Sequence, residues 1–365
     1  MTYHQTEIAI IGGGLTGLAL AYRLHQTGRS FVLLEARHRL GGRILPGLVS
    51  DAENGSYDLG PAWIWPHNAS LLRLLRELGL QTFDQYATGK LVFQEASGAV
   101  RRDLEFAPMA GSLRVDGGLG RLVNALCSSL PTDAVRTGSI VTDIKVSDLG
   151  VALRGHVPDK QFSVAAGRAV IALPPRIAET SIRFSPDLPQ ALRHTFKAIP
   201  TWMAGHAKFL AVYETPFWRD MDLSGDAISH VGPMAEIHDA SPSDSSEGAL
   251  FGFLGVDANT RKTLGEEAMK ARCVEQLSLL FGPNAASPTR TFWKDWAQDH
   301  LTAVQSDWTP PAGHPAYEQP AELSGYSSDR LIFAGTELAP HDGGFLEGAV
   351  VSAEAVANRI LHLME

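Results

Sequence analysis

The chain opens with a short run of β-branched and apolar residues, Glu7-Ile8-Ala9-Ile10-Ile11, which reads as a buried strand. From Leu15 to Gln26 the positions Leu15, Leu18, Ala19 and Tyr22 recur at helical spacing, and Gly28-Arg29 supplies a stop. Phe31-Val32-Leu33-Leu34 reads as a second strand and closes a strand–helix–strand unit. Leucines 71, 72, 74, 75 and 78 predict an amphipathic helix over 70–78, and 117–130 predicts another. Between about 135 and 173 the pattern turns to alternating, β-branched stretches and breaks at Pro174-Pro175, which predicts a β-meander. Further on, helices are expected over 186–198 and 266–281 and strands over 207–213, 248–256 and 289–296. The polar stretch 239–247 reads as a loop, and so does 306–328, whose Pro310, Pro311, Pro315 and Pro320 argue against regular elements. A last unit pairs the strand 331–334 with a helix from about Glu347 to Leu363.

A length of 365 residues, 44% of them hydrophobic and 19% charged, suits a folded protein of two or three lobes with room for a deep pocket. The net charge of −9 disfavours nucleic acid or an anionic membrane as partner and favours neutral or cationic small molecules. Cys127 and Cys273 lie far apart, with no metal-ligand spacing, so no metal is expected, and both read as ordinary thiols of a reducing compartment. The first apolar run stops at Gly12, and no segment approaches the roughly 20 apolar residues of a spanning helix. A cytoplasmic location, as monomer or homodimer, is the expectation.

Gly12-Gly13-Gly14-Leu15-Thr16-Gly17 follows the first strand, opens the first helix, and is followed by Glu35 at the end of the second strand. The spacing matches the acidic residue expected about 20 positions after a dinucleotide fingerprint. Gly12 permits the turn, Gly14 the close approach of a pyrophosphate and Gly17 tight helix–strand packing, while Leu15 and Thr16 sit at the positive end of the helix. Glu35 would accept hydrogen bonds from a ribose. A nicotinamide cofactor remains open at this point. The next stretch, Glu35-Ala36-Arg37-His38-Arg39-Leu40-Gly41-Gly42-Arg43, adds a second glycine pair and two guanidiniums for phosphate or ribityl oxygens, unless Arg37 and Arg43 are surface charges.

This stretch resembles the extended flavin fingerprint of the flavin-containing amine oxidase superfamily, which includes monoamine, polyamine and L-amino-acid oxidases. The resemblance continues in order along nearly the whole chain. Asp58-Leu59-Gly60-Pro61-Ala62-Trp63 is similar to the segment beneath the flavin ring, and Asp116-Gly117-Gly118-Leu119 to the Gly-Gly turn before a helix. The strand 135–141 is similar to the one that receives the adenine, with Val141 as candidate. Gly335-Thr336-Glu337 and Gly343-Gly344-Phe345-Leu346-Glu347-Gly348-Ala349 resemble the C-terminal flavin motif, in which the Leu346 N–H faces the flavin pyrimidine. The resemblance therefore implies FAD, with Gly344, Phe345 and Ala349 among its contacts.

Lys208, on a strand of apolar neighbours leading to Pro216-Phe217-Trp218, resembles the family's lysine that holds a water against the reactive flavin nitrogen and aids reoxidation. The plain alternative is a solvated lysine on an edge strand. Trp296 resembles the tryptophan that closes the flavin pocket, or is a core residue. Phe345 falls where monoamine oxidases place one tyrosine of an aromatic cage, or forms an apolar wall. The second cage tyrosine aligns near Ser306, which leaves that wall open unless Trp308 or another aromatic fills it. The family's linking cysteine aligns near Gln305, which implies non-covalent FAD. Asp342 is either a carboxylate for a cationic amine or ordinary Asp-Gly turn chemistry. His230, His238 and His314 read as solvated.

The expected fold is α/β: a doubly wound, Rossmann-like FAD domain (1–75, 115–190 and 299–365) interleaved with a smaller α+β substrate domain around a mixed sheet (76–114 and 191–298). The expected reaction is oxidation of a carbon–nitrogen bond of a small amine by hydride transfer to the flavin, with dioxygen reduced to hydrogen peroxide. Two rivals stand beside it: a dehydrogenase or desaturase of carbon–carbon bonds, and a flavin-binding protein without oxidase activity.

Overall fold

The computed structural model describes residues 2–48, 56–326 and 329–364. Its first sheet is built on a parallel core, with Leu331–Phe333, Lys160–Ile171, Thr2–Ile11, Phe31–Leu34 and Val135–Arg136 side by side. Both faces of this core are buried, which is why its strands read as continuous apolar runs. Ile8, Ile10, Leu33, Val170 and Ile332 face the helices Leu15–Gln26, Gly120–Ser128 and Leu346–His362. Their alternate neighbours Ala9, Ile11, Val32, Leu34, Ile171 and Phe333 face the opposite side, against the helices Pro175–Ser181 and Gln190–Ala198.

The expected meander is present as Ile140–Ser147, Gly150–Val157 and Lys160–Ile171. Its last strand is 12 residues long because its first half pairs antiparallel in the meander and its end pairs parallel with Leu331–Phe333.

A second, mixed sheet runs Arg290–Asp295, Ala207–Tyr213, Gly248–Leu254, Met234–Asp239, Leu223–Ser229, Lys90–Gln94 and Val100–Leu104. In the strand Ala207–Tyr213, Ala207, Phe209, Ala211 and Tyr213 pack toward Met269, Cys273 and Leu277 of the helix Glu266–Phe281. Lys208, Leu210 and Val212 therefore point the other way, where Leu210 and Val212 join Tyr57 and Leu59. The strand lies between two others, so the edge-strand reading of Lys208 does not hold.

Other expectations are corrected. The strands Lys90–Gln94, Val100–Leu104, Leu223–Ser229 and Met234–Asp239 had no counterpart in the hydropathy pattern. The stretch expected to be a plain loop contains the helix Ala321–Tyr326, which follows Pro320, while Ser327 and Ser328 lie outside the described residues. The helix expected from Pro186 starts at Gln190. Among the described residues no helix is long and apolar enough to cross a membrane, and no group of His, Cys, Asp and Glu is placed to hold a metal ion.

Candidate active site

The carboxyl ends of the parallel strands open on a cavity of about 740 Å³, bounded on its far side by the second sheet. A volume of this order is typical of cofactor and substrate sites. Gly12, at φ +110°, makes the turn out of the first strand. A Cβ on Gly17 would lie 1.9 Å from the Gly12 carbonyl oxygen, so close packing of helix on strand requires glycine there. A Cβ on Gly14 would meet only the Gly42 Cα, at 4.0 Å. The fold itself leaves room at Gly14, and the free space belongs to the cavity. The helix Leu15–Gln26 has neither a side-chain cap nor an acidic residue in its first turn, so its leading N–H donors are available to an anion.

The second glycine pair lies against the first. The Gly41 N–H donates to the Gly13 carbonyl at 2.8 Å, and Gly42 approaches Gly14 so closely that a Cβ would lie 3.0 Å from its Cα. Glu35 is buried and accepts from the Gly13 N–H at 2.7 Å and the Arg37 N–H at 2.8 Å. Arg37 is tied to Asp299 and to the Thr302 hydroxyl, both at 2.7 Å, and Arg43 reaches Glu337 at 2.6 Å. Neither arginine is a free surface charge.

The segment 58–60 is held from the second sheet. The Lys208 ammonium is 2% exposed and donates to the Asp58 carbonyl at 2.6 Å and the Gly60 carbonyl at 3.1 Å. The Trp296 indole N–H donates to the Leu59 carbonyl at 3.0 Å. Three successive carbonyls are thus pinned by the two residues singled out as catalytic candidates. Lys208 also lies 3.7 Å from the centre of the Phe251 ring. Burial pushes its pKa well below the ordinary lysine value, against the pull of the Asp58 carboxylate. Burial likewise raises Asp58, which Lys208, Arg114 and the Leu119 N–H (2.9 Å) partly offset.

At the C-terminal motif the Thr336 hydroxyl donates to the Phe345 carbonyl at 2.7 Å, and Leu346 opens the last helix, so its N–H lacks an intrahelical partner. Glu347 accepts from the Ser70 and Leu71 N–H groups at 2.9 and 2.8 Å and so caps the helix Ala69–Glu77.

Lys208, Phe345 and Trp296 all line the cavity, as do Gly12, Gly14, Leu15, Thr16, Glu35, Arg37, Gly41, Gly42, Arg43, Gly60, Pro61, Ala62, Trp63, Gly335, Thr336, Glu337, Gly344, Leu346 and Ala349. Gly17, Ala36 and Val141 do not. Gly17 lies under the turn, and Val141 is buried in the core beneath the first sheet, paired with the next strand.

Phe345 is 46% exposed and stacks on His314 at 4.3 Å, with the rings 3° from parallel. Trp202 meets the same imidazole edge-on at 4.8 Å and lines the cavity. Trp308, the aromatic considered for the second wall, instead lies under Lys262 and is not on the cavity, and Ser306 is not on it either. Asp342 is off the cavity too, in a turn at φ +51°, with His341 at 2.8 Å. His230 and His314 are solvated as expected, but His238 is 3% exposed, held at 2.9 Å by Asp226 and edge-on to Trp63.

Sequence reasoning missed Trp65, Met109, Trp202, Met203, His206 and Glu236 on the cavity wall. They come from turns and from strands without apolar periodicity. The one available signal was Trp202-Met203, two large side chains in a short turn segment before the lysine strand.

The donor set suits a dinucleotide with a flavin: two uncapped helix starts, a glycine whose missing Cβ faces the cavity, and an acid at the end of the second strand. Comparisons with known proteins agree. The chain is 25% identical to amine oxidase [flavin-containing] B of Sus scrofa, over 99% of this chain and 87% of that one. It is 24% identical to a probable flavin-containing monoamine oxidase A of Dictyostelium discoideum, over 97% of each. It shares its fold with putrescine oxidase, at a TM-score of 0.81, 22% identity and coverage of 99% and 100%. The same holds for cyclohexylamine oxidase from Brevibacterium oxydans, at 0.79, 20%, and 98% and 99%. The sequence model for flavin containing amine oxidoreductases matches residues 15–110 and 92–361, nearly the full length, and the chain therefore belongs to that family.

Proposed function

We propose that this protein binds FAD without a covalent link and oxidises the carbon–nitrogen bond of small amines, converting amine, dioxygen and water into an aldehyde or ketone, ammonia or a smaller amine, and hydrogen peroxide. The observation that carries the reading is Lys208, a buried ammonium on the wall between the cofactor fingerprints and the second sheet. Bound in the cavity, FAD supplies the two-electron acceptor that takes a hydride equivalent from the carbon beside nitrogen and returns the electrons to dioxygen.

The chain's own residues bind, orient and exclude water. Gly12 to Thr16 and the helix start receive the diphosphate, Glu35 the ribose, and Arg43, anchored by Glu337, the phosphate or ribityl oxygens. Lys208 and Trp296 hold the backbone of 58–60 as a rigid floor, and Lys208 presents positive charge where reduced oxygen species need it. Phe345 and Trp202, both on the cavity wall, line the amine path. Glu337 is engaged by Arg43 and Lys208 by two carbonyls, which fits an amine that binds deprotonated and needs no side-chain base at the reacting carbon. Neither Cys127 nor Cys273 lines the cavity, and burial holds Cys273 up to about 12.

The test is anaerobic mixing of the yellow protein with a panel of amines, followed by air. Bleaching by an amine and peroxide on aeration are expected, with FAD released intact by trichloroacetic acid. Flavin that stays with the precipitate overturns the non-covalent link, and a cofactor that no amine bleaches overturns the reaction.

A further inference from the structure

The substrate side of the cavity carries a carboxylate that the reaction above does not use. Glu236 stands opposite Phe253 in one ladder, and Phe253 stands opposite Lys208 in the next. Directly opposed residues in adjacent strands point to the same face, and all three line the cavity. Two strand spacings, about 10 Å, separate the backbones of Glu236 and Lys208.

Behind Glu236 lies a built support. The His238 Nδ1 is 2.9 Å from Asp226, its Nε2 is 3.8 Å from the Glu236 carboxylate, and among the described residues neither that Nε2 nor the second oxygen of the buried Asp226 has a hydrogen-bond partner. Burial opposes a charge on His238, but Asp226 and Glu236 outweigh it and raise its pKa, while His238 holds Glu236 below the usual carboxylate range. Two acids face this one imidazole, and among the described residues the nearby basic groups are otherwise engaged. Arg261 is occupied by Asp295 at 2.8 Å and by the Gly205 carbonyl, and burial, with Arg261 nearby, lowers the His206 pKa. The other acids on the cavity wall, Glu35 and Glu337, are engaged by N–H donors and by Arg43. Glu236 keeps 60% of its side-chain surface open.

Resting on the amine-oxidation reading, we propose that Glu236 is a cation subsite that selects amines carrying a second positive group. A short linear diamine is the simplest such amine. One nitrogen is bound neutral at the reacting end, and the other stays an ammonium on Glu236.

The test compares kcat/KM of the FAD-loaded enzyme for 1,5-diaminopentane, 5-amino-1-pentanol and n-pentylamine, in wild type and in Glu236→Gln. Wild type should prefer the diamine over both others. The substitution should lower the diamine-to-monoamine ratio about ten- to a hundred-fold, the worth of a hydrogen bond to a charged group. Glu236→Leu, checked for full flavin content, should shift the preference to n-pentylamine. Turnover of n-pentylamine with no diamine preference, an amino alcohol as good as the diamine, or an unchanged ratio in both variants overturns the subsite alone. If no amine bleaches the flavin, the reaction and the subsite fall together.

Discussion

Replacing Lys208 by Met removes a buried charge at nearly constant volume, so the cavity contribution is small and electrostatics decide the outcome. Two terms are lost: the donors to the Asp58 and Gly60 carbonyls, about 1–3 kcal/mol for each group left unpaired, and the cation–π contact with Phe251, about 2 kcal/mol when desolvated. Against them stands the recovered cost of burying the ammonium, several kcal/mol. These nearly cancel. What remains is Asp58, buried, with one oxygen lacking a hydrogen-bond partner among the described residues and Arg114 as its remaining counter-charge. Removing one member of a buried pair costs about 3–5 kcal/mol, and the lower end suits a site that keeps an arginine. An unfolding entropy of about 2.1 cal/mol/K per residue makes 1 kcal/mol worth roughly 1.3 °C in this chain of 365 residues, so the midpoint should fall by about 4 °C. Calorimetric scans at one fixed rate measure it. The double variant Lys208→Met/Asp58→Asn should recover at least about half of the loss, because the stranded charge is gone. Stopped-flow mixing with oxygen gives the second readout, about a hundred-fold slower if Lys208 acts on oxygen reduction. Additive effects of the two substitutions would refute the pairing argument, and an unchanged oxygen rate would remove Lys208 from the chemistry.

Gly14→Ala should leave the melting temperature of the cofactor-free protein unchanged while weakening FAD binding, whereas Gly17→Ala, whose Cβ would lie 1.9 Å from a carbonyl oxygen, should destabilise the apoprotein itself. Paired thermal melts and flavin titrations separate the two. For His238 the folded pKa is raised above its unfolded value of about 6.5, so its charge stabilises the fold below that pH and the contribution fades as pH climbs through the raised value. The stability gap between wild type and His238→Gln should therefore shrink above about pH 6.5 in urea titrations, and a widening gap would invert the assignment. Trp202→Ala should raise KM for amines with FAD content unchanged, which steady-state kinetics and absorbance check together.

The parallel core and the cofactor fingerprints were legible in the chain because their causes are local. Strands buried on both faces, such as Ile8 to Ile11, must be apolar at every position, and the turn through Gly12 to Gly17 needs glycine wherever a Cβ would strike backbone. The second sheet obeys no such local rule. Leu223–Ser229 and Met234–Asp239 carry Ser224, Asp226, His238 and Asp239, all buried, and these residues look like loop chemistry until each finds its partner. Asp226 meets His238, and Asp239 meets Trp218 and Arg219. Such partners are close in space and come from separate turns and strands, so no window of sequence contains the interaction that makes the residue tolerable in the core.

The same division runs through the site. Lys208 could be suspected from its apolar neighbours, yet its two carbonyl acceptors lie some 150 positions earlier in the chain. Trp202 and Glu236 reach the cavity only because a turn and a strand are set against it by the packing of the two sheets. The sequence by itself determined the strand–helix–strand unit and its glycine turn on the candidate cofactor side, whose constraints act between residues close along the backbone. Only the tertiary structure decided the substrate half, where burial of polar groups depends on partners that the fold alone brings together.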